Sequence, residues 1–331
     1  QETFQLTAKD TILGVLPFFH SFGYTATLWL PLLAGCRAAY HRSPLEAVAI
    51  KKLIKEEKAS VLLATPTFLQ MWMKKFARED LTSLRFVLTG AEKLHLAFAR
   101  DFTQTLGVPI LEGYGTTELS PAACVSVLSV KHATENQTGW KPGKVGRPLP
   151  GVTVKIVDPD TGERLDDGLP GLLLVKGPNV MQGYWNQPEK TAEVLKDGWY
   201  NTGDIARVDE DGFVEITDRL SRFSKIGGEM VPHMLVEQKL AELSGEPEAR
   251  FLVLSTPDEK RGERLVVLTH HLEQSIDVLL EKLEKSDMPK LWVPDKRSVF
   301  LLDTWPTLAS GKVDLVTAKG IVEKLTATAS K

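Results

Sequence analysis

The chain has 331 residues, 43% hydrophobic and 25% charged, with a formal net charge of -3. This is an ordinary globular composition with room for about two or three domains, and its charge argues against a broad nucleic-acid surface. Only two cysteines occur, Cys36 and Cys124, in no metal-ligand spacing and no disulfide framework, which fits a reducing compartment.

The apolar stretch Ala26 to Ala34 contains Pro31 and is far shorter than the roughly 20 residues needed to span a bilayer. Leu45 to Lys58 carries Ala49, Ile50, Leu53 and Ile54 among lysines and glutamates, which predicts an amphipathic helix. Val61 to Ala64 is a short apolar run closed by Thr65-Pro66. Arg85 to Thr89 reads as a buried strand, Leu94 to Leu106 as a helix and Val108 to Glu112 as the next strand. This βαβ spacing predicts a parallel sheet. From 145 to 217 the texture changes to short strands between turns, including Val152–Asp158, Gly171–Lys176 and Phe213–Thr217, which predicts a small barrel or sandwich. After Arg219 helix and strand alternate again: helices over 233–243 and 276–285, strands over 250–254, 264–269 and 299–302. The expected fold class is α/β. A parallel α/β subdomain (1–128) and a small β-barrel subdomain (129–218) precede a smaller α+β C-terminal domain (219–331).

Gly113-Tyr-Gly-Thr-Thr-Glu118 follows a predicted parallel strand, and ligands of open α/β sheets bind beyond the carboxyl ends of strands. Its glycines would let backbone approach a ligand closely. Tyr114 offers a flat face for a purine, Thr116 and Thr117 offer hydroxyls for a phosphate, and Glu118 is a hard oxygen ligand suited to Mg²⁺. A polar turn is the plain alternative. Thr89-Gly-Ala-Glu92 would lie on the same sheet edge. Tyr200-Asn-Thr-Gly-Asp204 places a carboxylate after a tight turn, where it could accept two ribose hydroxyls or stay solvated. Arg219, Arg222 and Lys225 precede Gly227 and Gly228, as a solvated basic linker or as a phosphate- and ribose-binding hinge. Pro306 to Lys312 is a loop presenting one lysine, either solvated or placed to neutralise charge at a reacting phosphate. No Walker A pattern and no Gly-x-Gly-x-x-Gly after a strand occur.

In this order and spacing, Pro17-Phe-Phe-His20 and the four motifs at 113–118, 200–204, 219–228 and 310–312 resemble the adenylate-forming (AMP-binding) superfamily. That group includes acyl-CoA synthetases, luciferases and non-ribosomal peptide adenylation domains. Arg222 to Val231 and Trp305 to Asp314 look most like the acyl-acyl carrier protein synthetase part of bacterial 2-acylglycerophosphoethanolamine acyltransferases. The resemblance implies ATP and Mg²⁺ as cofactors, with a fatty acid activated to acyl-AMP and passed to the pantetheine thiol of acyl carrier protein. Alternatives are a long-chain acyl-CoA synthetase or a non-catalytic nucleotide- or carrier-binding module. It also implies a cytoplasmic protein, peripheral at most to the inner face of the inner membrane.

By position, Tyr114 with Gly90 and Ala91 would flank the adenine, Thr117 would touch the α-phosphate and Glu118 would bind Mg²⁺. Asp204 and Arg219 would hold the ribose. Lys312 would act during adenylation, and His20 would lie at the acyl pocket's entrance. Gly227 and Gly228 would face the pantetheine channel, and the segment from Arg219 would rotate as a lid. The superfamily's Ser/Thr/Gly-rich pyrophosphate loop precedes the His20 motif by some tens of residues, and no counterpart precedes it here. The expectation is therefore a fragment, inactive alone for adenylation. Ser221 stands where the superfamily has an Asp or Lys hinge, which leaves the hinge position open.

Overall fold

The computed structural model describes residues 2–131, 136–246, 249–307 and 313–329. The protein is α/β, with a large parallel sheet followed by an antiparallel one. Its contacts divide into two units, one of residues 1–202 and 206–216, the other of 203–205 and 217–331.

The first unit is built on β1 (Thr11–Gly14), β2 (Arg37–Tyr40), β3 (Val61–Ala64), β4 (Phe86–Thr89) and β5 (Ile110–Tyr114). They lie in the order β2-β1-β3-β4-β5, all parallel. The short strands Cys124–Val125 and Arg147–Pro148 add antiparallel beyond β5. β1, β3 and β4 are buried along their whole length, as parallel strands covered on both faces must be. Alternate residues face opposite ways. Leu13, Leu62, Val87 and Ile110 pack on one side with Ile50, Ile54, Leu69, Trp72 and Phe102. Those five come from helices Ala47–Glu56, Pro66–Met73 and Leu96–Leu106, so one apolar stripe per helix closes this face. Ile12, Leu63, Phe86, Leu88 and Leu111 pack on the other side with Leu16, Ala34 and Phe22. There the Ala26–Ala34 stretch is helical: a π-helical segment Tyr24–Trp29 runs into helix Leu30–Ala34.

The antiparallel sheet has five strands. Thr153–Val157 pairs with Gly171–Lys176, which neighbours Trp199–Val208; Leu195–Lys196 and Val214–Arg219 flank that long strand. The motif 200–204 therefore lies inside a strand, kinked at Gly203 (φ +71), and not after a tight turn as its turn-forming residues suggest. Strand pairing overrides local propensity here.

The second unit carries the mixed sheet of Phe223–Ile226, Glu229–Pro232, Arg250–Asp258, Gly262–His270 and Val299–Leu301. Helices His233–Ser244 and Ile276–Glu284 pack on it through Val236, Leu240, Leu279 and Leu283, and helix Leu315–Ala329 through Ala318 and Val322.

Buried His233 shares a hydrogen bond of 2.5 Å with Ser224 across the base of the 223–232 hairpin. Burial, helped by the Arg222 and Lys319 charges, pushes its pKa from 6.5 down to about 3. Between these values the unfolded chain binds a proton that the folded chain refuses, so this residue's contribution to stability is lost as pH falls through that window. His233→Gln is expected to flatten the stability difference that urea unfolding measures between about pH 5 and about pH 7. An unchanged difference would place the acid sensitivity elsewhere.

Candidate functional site

The carboxyl ends of β4 and β5 place two loops side by side. Thr89 pairs with Glu112, and a Cβ on Gly90 would stand 3.0 Å from the Gly113 carbonyl oxygen, so the 90–91 turn and the 113–114 segment lie in close contact. Ala91 holds φ +67, a conformation that costs a non-glycine residue about 1–2 kcal/mol. Glu92 turns one carboxylate oxygen, Oε2, to the start of helix Pro66–Met73, where it accepts from the Thr67 N–H (3.1 Å) and hydroxyl (2.6 Å).

Beyond Tyr114 the chain makes a 3-10 turn, Thr117–Leu119. Thr117, exposed, lies 3.3 Å from the Ser21 hydroxyl, which brings the motif after β5 to the residue next to His20. His20 is exposed, and its Nδ1 accepts from the Phe22 N–H at 3.3 Å, capping the short helix that follows.

Glu118 receives the Tyr184 hydroxyl on Oε1 at 2.8 Å. Burial works against its ionisation, but its own backbone N–H, Tyr184, Thr116 and the Lys190 charge outweigh that and hold the carboxyl below its ordinary range. An ionised carboxylate is a hard oxygen donor that fits Mg²⁺. Among the described residues no three His, Cys, Asp or Glu side chains converge. A cation at Glu118 would thus take further ligands from a nucleotide's phosphates and water, which is how Mg²⁺ is commonly held.

Glu112, in β5 just before Gly113, carries no signal in the sequence that sets it apart. Burial pushes its carboxyl up to about 7, with Lys93 pulling the other way. Tyr184 was equally hidden, because it reaches Glu118 from 66 positions along the chain. Its only sequence signal is an aromatic pair, Tyr184-Trp185, in a polar loop between Gly183 and Pro188.

In the second unit, buried Asp204 and exposed Arg219 face each other, with Nε 3.2 Å from Oδ1. Asp218 accepts from the backbone N–H groups of Arg219 (2.7 Å) and Met234 (2.8 Å), which fixes the chain where the barrel strand leaves for the hairpin. Arg222 turns inward to Glu237, whose carboxylate also takes the Val253 N–H. It is not an exposed member of a basic patch. Gly227 (φ +59) and Gly228 (φ +90) form the hairpin's two-residue turn, the left-handed pair that suits the twist of its strands. Lys225 is exposed on the same hairpin, and its backbone N–H donates to Glu263. Each unit thus gathers part of the set: His20, Gly90, Ala91, Tyr114, Thr117 and Glu118 in the first, Asp204, Arg219, Lys225, Gly227 and Gly228 in the second. Lys312 lies outside the described residues.

Residues 1–185 match the AMP-binding enzyme family. The chain belongs to that family. Among its AMP-binding relatives, a long-chain-fatty-acid–CoA ligase of Bacillus subtilis is 32% identical over 286 residues, 85% of this chain and 47% of the relative. An indoleacetate–CoA ligase of Aromatoleum aromaticum is 33% identical over 319 residues, 93% of this chain and 59% of the relative. The ATP-bound structure of MatB from Rhodopseudomonas palustris superimposes with a TM-score of 0.82 at 26% identity, over 97% of this chain and 61% of that one. The chain spans about half to three-fifths of the length of these relatives. Among the described residues no helix is long and apolar enough to cross a membrane.

Proposed function

We propose that the whole protein is an ATP-dependent acid–thiol ligase that converts a fatty acid to acyl-AMP and passes the acyl group to a pantetheine thiol. The observation that carries this reading is Glu118, whose carboxylate is held by the Tyr184 hydroxyl in the turn that follows β5 at the carboxyl edge of the parallel sheet, in a chain of the AMP-binding family.

A carboxylate repels nucleophiles, so it must first gain a leaving group. Its oxygen attacks the α-phosphorus of ATP, pyrophosphate departs, and the product is a mixed anhydride. The thiol then attacks the acyl carbon, loses its proton, and AMP departs. In this reading Tyr114, Gly90 and Ala91 flank the adenine, Thr117 meets the α-phosphate, and Asp204 with Arg219 holds the ribose. Lys225 meets the nucleotide from the hairpin, and Lys312 offsets charge at the α-phosphate. His20 borders the acyl group, and Gly227 and Gly228 face the thiol's path. Mg²⁺ at Glu118, when bound, supplies positive charge against the phosphate oxygens.

Two acceptors present the same thiol. The sequences 222–231 and 305–314 favour acyl carrier protein, and with it the re-acylation of lysophospholipid at a membrane surface. The curated relatives are CoA ligases, which favours CoA. The inward turn of Arg222 removes one cation from any surface for an acidic carrier. The deciding experiment gives the whole protein fatty acid, Mg-ATP, CoA and acyl carrier protein together and resolves the thioesters by mass. Acylated carrier protein as the main product establishes the first acceptor, and acyl-CoA the second. Nucleotide binding with neither product overturns the ligase reading in favour of a binding module.

A further inference from the structure

The turn that carries Glu118 closes on itself through the Leu119 N–H to the Thr116 carbonyl (3.0 Å) and is gripped further from outside. Three of its outside contacts come from one loop, 177–184, which follows strand Gly171–Lys176. The Asn179 side-chain amide donates to the carbonyls of Leu119 (3.2 Å) and Ala122 (2.8 Å). The Met181 N–H donates to the carbonyl of Glu118 itself at 2.8 Å. The Tyr184 hydroxyl donates to the Glu118 carboxylate at 2.8 Å. Backbone and side chain of the same residue are therefore gripped from two positions three apart.

Tyr184 is fixed in turn. Its backbone N–H donates to the Thr191 hydroxyl at 2.9 Å, and that hydroxyl donates to the Gln187 carbonyl at 2.8 Å. The Lys190 ammonium sits 4.9 Å from the centre of the Tyr184 ring, a cation–π contact that holds the ring's plane. The ring can neither swing out nor rotate its oxygen away without breaking one of these contacts.

From this geometry we infer that Tyr184 is a positioning residue for the cation–nucleotide site, holding Glu118 Oε1 so that the carboxylate meets a divalent cation in one orientation. A phenol has a single proton to donate, and here it points to the carboxylate at 2.8 Å, while Tyr200 also meets the hydroxyl. A fixed partner on a metal-binding carboxylate removes the entropy that the side chain would otherwise lose when the ion arrives. The inference rests on reading Glu118 as a cation ligand, and the two claims fail in different ways.

The test is Mn²⁺ affinity, read by electron paramagnetic resonance on the whole protein with a non-hydrolysable ATP analogue. It compares the unaltered protein with Tyr184→Phe, Glu118→Gln and the double variant. Phenylalanine keeps the ring, its packing and the Lys190 contact, and removes only the hydroxyl. Tyr184→Phe is expected to weaken Mn²⁺ binding by about tenfold or more, the usual cost of losing a partner of a metal ligand. The double variant is expected to bind no worse than Glu118→Gln, because the hydroxyl reaches the cation site through that carboxylate. The half-saturating Mg²⁺ concentration for acyl-AMP formation should rise in parallel in Tyr184→Phe. Unchanged Mn²⁺ affinity in Tyr184→Phe, or additive losses in the double variant, overturns the positioning role. Undiminished affinity in Glu118→Gln overturns the ligand reading and the inference with it.

Discussion

Lys312→Ala in the whole protein is expected to slow acyl-AMP formation by about 10²–10³-fold, the scale seen when one stabilising charge or donor is taken from a developing anion. Thioester formation from supplied acyl-AMP is expected to persist. The difference comes from where charge appears. In the first half-reaction negative charge crowds around the α-phosphorus as the carboxylate enters and pyrophosphate leaves. In the second it moves to a thioester carbonyl and an AMP that is already an anion. A compact ammonium helps the first and has little to add to the second. The residues on either side of the lysine's segment are firmly tied. Thr307 bridges to Val313, and the Asp314 N–H donates to the Pro306 carbonyl at 3.0 Å. The Asp314 carboxylate then accepts from the N–H groups of Val316 and Thr317, as an N-cap for the terminal helix. ATP–pyrophosphate exchange measures the first step and product mass the second. Equal loss in both would assign Lys312 to binding or folding.

The parts of this fold that could be read in advance are those whose apolar pattern is unbroken. β3 is a run of four apolar residues and β4 a run of three closed by Thr89, and helix Ala47–Glu56 shows its stripe clearly. β1 and β2 were missed. Thr11 and Gly14 dilute the first, and the second is an edge strand whose Arg37 and Tyr40 face solvent. The terminal helix, with Thr317, Gly320 and Thr326 among its apolar residues, gave no stripe strong enough to stand out. The same contrast holds at the site. Glu118 could be named as a candidate because a glycine-rich turn follows a parallel strand there, and ligands of such sheets bind beyond the carboxyl ends of strands. Its partner Tyr184 could not, because the hydrogen bond joins two subdomains' loops and leaves no local trace. The glycines of the 113–118 motif were legible as special, but for a reason that the packing changes.

Gly115→Ala is expected to destabilise the first unit by about 3 kcal/mol, the upper range of overpacking, and to abolish nucleotide binding. A Cβ at Gly115 would lie 1.8 Å from the carbonyl oxygen of Pro121 and 2.7 Å from both the Pro121 carbonyl carbon and the Ala122 Cα. All three atoms are backbone, so no side chain can swing aside. The Ala123 N–H donates to the Tyr114 carbonyl at 2.9 Å, which closes the turn and holds Gly115 against Pro121. Gly115 therefore permits a close approach of the chain to itself, where the sequence suggested an approach to a ligand. Forcing the two segments apart would carry Thr116, Thr117 and Glu118 with them and pull Glu118 off the Tyr184 hydroxyl. Gly113→Ala makes the contrast within the same motif. Its Cβ would meet the Cys124 carbonyl oxygen and a Val125 methyl at 3.6 Å, ordinary van der Waals distance, so folding should change by less than about 1 kcal/mol. Thermal unfolding and the binding of a fluorescent ATP analogue separate the two. A Gly115→Ala protein with unaltered melting and weakened nucleotide binding would restore the original reading, in which the glycine makes room for the nucleotide.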